Sequence, residues 1–130
     1  EAIAEAILEI DPDLIMLILA GSKAEEALKK TGVRIARECF ADRALNPDGT
    51  LVSRAIPGSV IHNVEEVVER SVRMVTEGKV VAIDGSIIDL EPDTICLHGD
   101  TPGAEKIAEA IVKGFNKANV DVRPIGSFIK

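Results

Sequence analysis

The chain has 130 residues, enough for one hydrophobic core and too few for two. Fifteen Lys and Arg against 22 Asp and Glu leave a net charge of −7, which repels phosphate backbones. With three Phe and no Tyr or Trp there is no aromatic platform for unpaired bases either, so nucleic acid is excluded as an expected partner. The apolar run Leu14 to Ala20 falls far short of the ~18 residues of a membrane-crossing helix, so no membrane span is expected. Cys39 and Cys96 carry no Cys-x-x-Cys or Cys/His cluster, a usage that fits buried, reduced thiols in a cytoplasmic protein. No signal-peptide pattern is present.

The first element is a helix with Ile3, Ile7 and Leu8 inward, stopped at Asp11-Pro12 because the residue before proline disfavours helix. The chain starts in this helical pattern without an initiator Met, so it reads as a fragment. Leu14 to Leu19 is a continuous apolar run, the pattern of a strand covered on both faces. Ser22, with Glu25 three residues on, forms a capping box for a helix reaching Lys30, and Gly32 suits its left-handed end. Val33 to Glu38 is the next strand. Strand, short helix and strand with short connections predict parallel neighbours in an α/β sheet, joined by a right-handed crossover.

Residues 39–63 keep neither period, and a loop of that length predicts function or disorder. Asn63 and Glu66 cap a helix whose inward face is Val64, Val67, Val68, Ser71, Val72 and Val75, ending at Gly78. Asp84-Gly85 between Lys79–Ile83 and Ser86–Leu90 predicts a hairpin with a type I′ turn. Thr94 to His98 is a further strand, a helix runs from about Pro102 to Ala118, and Val120 to Ile125 is a last strand.

Two constellations sit where a buried strand gives way to a loop, the edge at which α/β folds build sites. The first is Glu38-Cys39-Phe40-Ala41-Asp42-Arg43, continuing to Arg54; the second is Cys96-Leu97-His98-Gly99-Asp100-Thr101-Pro102-Gly103. In the second, a His with a carboxylate two residues on can move protons, and the N–H groups of residues 101–104 can face an anion. Equally, Asp100 or Thr101 can simply cap the last helix. In the first, the Arg43 guanidinium suits a carboxylate or phosphate, or else closes a loop-anchoring ion pair with Asp42. Glu38 reads as a base or as the group holding Arg43, and Asp48-Gly49 as a turn. Glycine-rich phosphate loops and metal-ligand spacings are absent from the sequence.

Glu38-Cys39-Phe40-Ala41-Asp42-Arg43-Ala44, Asn46-Pro47-Asp48-Gly49-Thr50-Leu51-Val52-Ser53-Arg54 and Ile95-Cys96-Leu97-His98-Gly99-Asp100-Thr101-Pro102-Gly103-Ala104, with Pro57-Gly58, Met74-Val75 and Asp93-Thr94 between them, resemble the LamB/YcsF family. The resemblance covers nearly the whole chain, residues 1–130 as a single segment. It implies an α/β fold, the C-terminal half of an irregular β/α barrel of the glycoside hydrolase/deacetylase kind, mostly parallel with one β-hairpin. The family's N-terminal signatures have no counterpart here, and site residues they carry would be missing. Leu45 stands where Tyr is usual and Cys39 where Val is usual.

The activity implied is that of the A subunit of 5-oxoprolinase: ATP-dependent opening of the lactam of 5-oxoproline to glutamate, with subunits B and C as partners. A homo-oligomer and a divalent metal are left open. Carried over position by position, Asp42 and His98 are the acid/base candidates, Asp100 orients His98, and Arg43 binds a carboxylate or phosphate. Glu38 and Arg54 are further substrate-binding candidates. Two other readings are kept: a non-catalytic subunit that binds a small acid or scaffolds the complex, and a metal-dependent deacetylase-like hydrolase.

Overall fold

The computed structural model describes residues 2–100 and 102–130. Helix α1 (Ala2–Ile10) leads into β1 (Ile15–Leu19), α2 (Lys23–Leu28) and β2 (Arg34–Phe40). After a long loop come α3 (Val64–Glu77), β3 (Lys79–Val81), β4 (Ile87–Asp89), β5 (Thr94–Cys96), α4 (Ala104–Lys117) and a short 3-10 turn (Ile125–Ser127). The principal sheet has the order β1-β2-β5 and is wholly parallel, as the strand-helix-strand pattern predicts; β3 and β4 form a separate antiparallel pair.

Partners in a parallel sheet point to the same side. The register Leu17 with Ala36, Leu19 with Glu38 and Phe40 with Cys96 therefore divides the sheet into two faces. One carries Met16, Ile18, Ile35, Cys39 and Ile95, and these join the three apolar clusters formed with α1, α2, α3 and α4. The other carries Ile15, Leu17, Leu19, Glu38, Phe40 and Cys96, none of which belongs to a cluster. Here the expectation that β1 is covered on both faces is corrected: Leu17 is 51% exposed, and none of the apolar clusters covers that side.

Several local expectations also change. Ala4 rather than Ile3 faces the core, since Ile3 is exposed while Ile7 and Leu8 pack beside Ala4. Ser22 does cap α2, accepting from Glu25 N, but the Glu25 carboxylate accepts from Gly21 N rather than returning to Ser22. The β3–β4 turn is not type I′. Only Gly85 takes positive φ (+87°), Gly85 N donates to Ala82 O and Ala82 N to Ser86 O, so the connection is the longer form closed by a left-handed glycine bulge. The predicted strand Val120–Ile125 does not form; that segment runs irregularly into the 3-10 turn. Val120 and Val122 alternate with Asp121 and Arg123, but Val122 is left exposed and Pro124 has no N–H to give a ladder.

Helices α3 and α4 cross closely because Gly114 has no side chain: a Cβ there would lie 2.7 Å from Val68 Cγ1 and 3.3 Å from Val72 Cγ2. Behind the sheet, Arg37 on β2 grips Asp93 just before β5. Its Nε and Nη2 donate to the two carboxylate oxygens at 2.9 Å each, its backbone N donates to Oδ2, and Asp93 N donates back to Arg37 O. This pair aligns β5 beside β2.

Candidate functional site

Asp42 and His98 each stand two residues beyond the last paired positions of their strands, Phe40 and Cys96. Period-two alternation brings both side chains to the uncovered face at the carboxyl ends of adjacent parallel strands. There His98 Nδ1 lies 2.9 Å from Oδ1 and 3.0 Å from Oδ2 of Asp42. Asp42 is 2% exposed, whereas the His98 side chain is 26% exposed. An ionised carboxylate can only accept, so Nδ1 is the donor to it, and in a neutral ring the lone pair then falls to Nε2. Phe40 stacks on the imidazole, with ring centroids 5.4 Å apart and planes at 16°, leaving the ring little freedom to turn.

Glu38, half-buried on β2, shares this face. Burial first, then the negative charges of Glu38 and Asp42, push the Cys96 thiol above its ordinary range, which marks the three as neighbours. On the opposite face burial pushes Cys39 up to about 11, leaving it an inert core thiol.

The long loop is not structureless. Bridges Arg43 to Val60 and Leu45 to Leu51 fold it back on itself, and Asn46-Pro47-Asp48-Gly49 makes the expected turn, Gly49 N donating to Asn46 O with φ +81° at Gly49. Ala41 N donates to Cys96 O and Ile61 N to Asp42 O, each at 2.8 Å. Asp42 and Arg43 do not pair with each other. The Arg43 guanidinium is buried and donates from Nη2 to Val52 O (2.8 Å) and from Nε to Ser59 O (3.3 Å). In this geometry Arg43 anchors the loop through carbonyls, with its guanidinium buried away from solvent.

The expected pairing of His98 with Asp100 is corrected: Asp100 is exposed and makes no hydrogen bond to His98, whose orienting partner is Asp42. The cap of α4 is Gly103, without a side-chain cap bond; Thr101 lies outside the described residues. Arg54 is exposed on the loop, with no side-chain partner among the described residues. Among the described residues no group of three or more His, Cys, Asp or Glu is gathered as a metal site, and no helix is long and apolar enough to cross a membrane.

Two participants carry little signal in the sequence. Phe40 reads as core, although its place at the strand end, in register with Cys96, puts it beside His98. Arg70 on α3 donates from Nη2 to Arg43 O (2.8 Å) and from Nη1 to Val81 O (2.9 Å). Its one signal is a charge set among the buried positions Val67, Ser71 and Met74.

The LamB/YcsF family matches residues 1–130. The chain is 50% identical over 129 residues to the 5-oxoprolinase A subunit of Pyrococcus furiosus, covering 99% of this chain and 51% of that protein. To the 5-oxoprolinase A subunit of Natranaerobius thermophilus it is 46% identical over 127 residues, covering 98% and 49%. Among solved structures, a lactam utilization protein from Thermus thermophilus superposes with a TM-score of 0.85 at 41% identity, over 94% of this chain and 48% of that one. The chain spans about half the length of the curated relatives it matches.

Proposed function

The chain belongs to the LamB/YcsF family, and from that premise we propose that it acts as part of a 5-oxoprolinase A subunit. In this reading it opens the lactam of 5-oxoproline to glutamate, with ATP hydrolysed by the assembly it forms with subunits B and C. The observation that carries the reading is the buried carboxylate of Asp42 on Nδ1 of His98, at parallel strand ends on an open sheet face. With Nδ1 held, Nε2 is free to take a proton from water as the hydroxyl adds to the lactam carbonyl carbon. Collapse of the tetrahedral adduct then breaks the C–N bond, and Nε2–H returns the proton to the departing nitrogen, which becomes the amine of glutamate. Asp42 stays ionised and stabilises the imidazolium in between.

Phe40 fixes the ring plane, and Glu38 borders the space a small substrate would enter. Arg43, committed to two carbonyls, supports the loop under Asp42; Asp100 and Arg54 are exposed and are given no step. The rest of the site, and a cover for Ile15, Leu17 and Leu19, we assign to the portion of the relatives that this chain does not span.

The residues at this face do not fit a triphosphate. Glu38 and Asp42 are carboxylates and the Arg43 guanidinium is already bonded, so we place the nucleotide elsewhere in the assembly and route no step through it. Its use in the complex activates the lactam carbonyl. A divalent ion is likewise given no step. We place the protein in the cytoplasm on its two unpaired thiols, Cys39 and Cys96.

The test is glutamate release from 5-oxoproline by the full chain assembled with its partner subunits and ATP. Loss of turnover in His98→Ala, with the complex still assembled, is expected. Undiminished turnover would remove the assignment, and binding of 5-oxoproline without turnover in any combination of subunits would make the chain a binding component instead.

A further inference from the structure

Asp42 owes its position to its backbone, since the only side chain bonded to its carboxylate among the described residues is His98. Its own carbonyl accepts from Ile61 N, and the next carbonyl, that of Arg43, accepts from Arg70 Nη2 at 2.8 Å. The other arm of the same guanidinium reaches Val81 O on β3 at 2.9 Å. One side chain thus ties helix α3, the β3–β4 ribbon and the segment carrying Asp42 into one body.

The arrangement is a costly way to fill space. Arg70 bonds to two carbonyls and to no carboxylate among the described residues, and its Nε is buried without any hydrogen-bond partner. An apolar side chain would pack there without the desolvation cost of a guanidinium. What an apolar chain could not supply is a pair of fixed donors, in the planar fork that only arginine offers, to two carbonyls on different elements. A cleft of about 370 Å³ opens along the same side of α3, lined by Ile61, Arg70, Arg73, Val80 and Ile83. Without Arg70, nothing else described bridges that cleft to hold the Arg43 carbonyl.

We infer that Arg70 is a positioning residue for the Asp42–His98 pair, acting through the backbone of Arg43 rather than on substrate. The inference rests on reading that pair as the proton-transfer centre. It also explains why Arg43 is buried: its side chain fastens the far end of the loop to Val52 and Ser59, while its carbonyl receives Arg70. The two arginines thus fasten the same stretch of chain, one by its own side chain and the other through the Arg43 carbonyl, and that stretch carries Asp42.

The experiment compares Arg70→Met and Arg70→Lys in the full chain with its partner subunits, reading turnover and the low-field Nδ1–H proton resonance of His98. Arg70→Met is expected to lower kcat by about tenfold to a hundredfold with KM little changed, the cost of a reacting group misplaced by a fraction of its length, and to broaden or shift the His98 resonance. Arg70→Lys, which keeps one charged donor, should recover part of both. A normal His98 resonance in folded Arg70→Met, or unchanged kcat, overturns the inference. Should Arg70→Met not fold, Arg70→Lys decides on the same readouts: a lowered kcat with a shifted resonance supports the role, and wild-type values for both refute it. Asp42→Asn in the same assay separates the two readings. If turnover survives that change the catalytic assignment fails, while the resonance still reports whether Arg70 holds the pair.

Discussion

Asp42 grips Nδ1 of His98 at 2.9 and 3.0 Å across a separation of 56 residues in sequence. The contact exists because β2 and β5 are parallel, adjacent and in register, so the second residue beyond each strand's end falls beside its counterpart. A buried carboxylate against one imidazole nitrogen fixes which nitrogen faces solvent. That makes the Asp42 side chain separable from its charge: an amide fills the same space but can bond the wrong tautomer.

Asp42→Asn should therefore leave the fold intact and lower turnover by roughly 10³- to 10⁴-fold, the loss seen when an orienting carboxylate is replaced by an amide. Under the proposed function, steady-state glutamate release with the partner subunits, and circular dichroism to establish folding, measure it. A loss under tenfold would mean that His98 does not depend on Asp42 for its tautomer.

The clamp behind the sheet predicts an acid-sensitive term in stability. Burial alone would raise the Asp93 carboxyl, but hydrogen bonds from the Arg37 side chain and backbone outweigh it and hold the group below its ordinary value. The folded state thus prefers the ionised form. The resulting stabilisation is present above the unfolded carboxylate range, near ~3.9, and is lost as pH falls through the lower folded value. Asp93→Asn should be less stable at neutral pH and should show a flatter loss of stability on acidification than the parent. Urea midpoints measured from neutrality down through the carboxylate range distinguish the two curves; parallel curves would show that the pair contributes nothing beyond geometry.

Much of this was legible in the sequence because the signals were local or periodic. Asn63 accepts from Glu66 N at the start of α3, Gly78 closes that helix with φ +64°, and the parallel order of β1 and β2 follows from a short helix between apolar runs. The strand ends carrying Asp42 and His98 were marked for the same reason. What escaped was pairing at a distance. Asp100 was the nearer carboxylate in sequence, but only the β2–β5 register decides that Asp42 reaches His98. Arg43 beside Asp42 looked like an ion pair, yet adjacent residues near a strand end point to opposite sides. The unbroken apolar run of β1 signals two covered faces in whatever surrounds it, and only one cover lies within the described residues.

The ribbon turn gives a cleaner stability test. Gly85 sits at φ +87° with open space around its Cα, so a side chain there meets backbone strain and no clash. Gly85→Ala should cost about 1 kcal/mol, the penalty of a left-handed conformation for an L-residue, and Gly85→Asn less. Thermal denaturation of the parent and both variants gives the order. If alanine and asparagine are equally tolerated, the ribbon is frayed and the left-handed position is not being enforced.

Gly114 offers the opposite case, in which space rather than backbone decides. Its φ is ordinary for a helix, so alanine would normally gain about 1 kcal/mol there through helix propensity. Against that gain, the new methyl would sit 2.7 Å from Val68 Cγ1, a side chain too short and too stiff at χ1 to move aside without shifting α3. Overpacking of this kind costs about 1–3 kcal/mol, so Gly114→Ala should be destabilising on balance, by about 1 kcal/mol. The double variant Gly114→Ala/Val68→Ala removes the obstructing methyls and should recover part of the loss. Denaturant unfolding of the two singles and the double closes the cycle. Additive effects would show that Gly114 and Val68 are not in contact, and with that the close crossing of α3 and α4 behind the Asp42–His98 edge would be wrong.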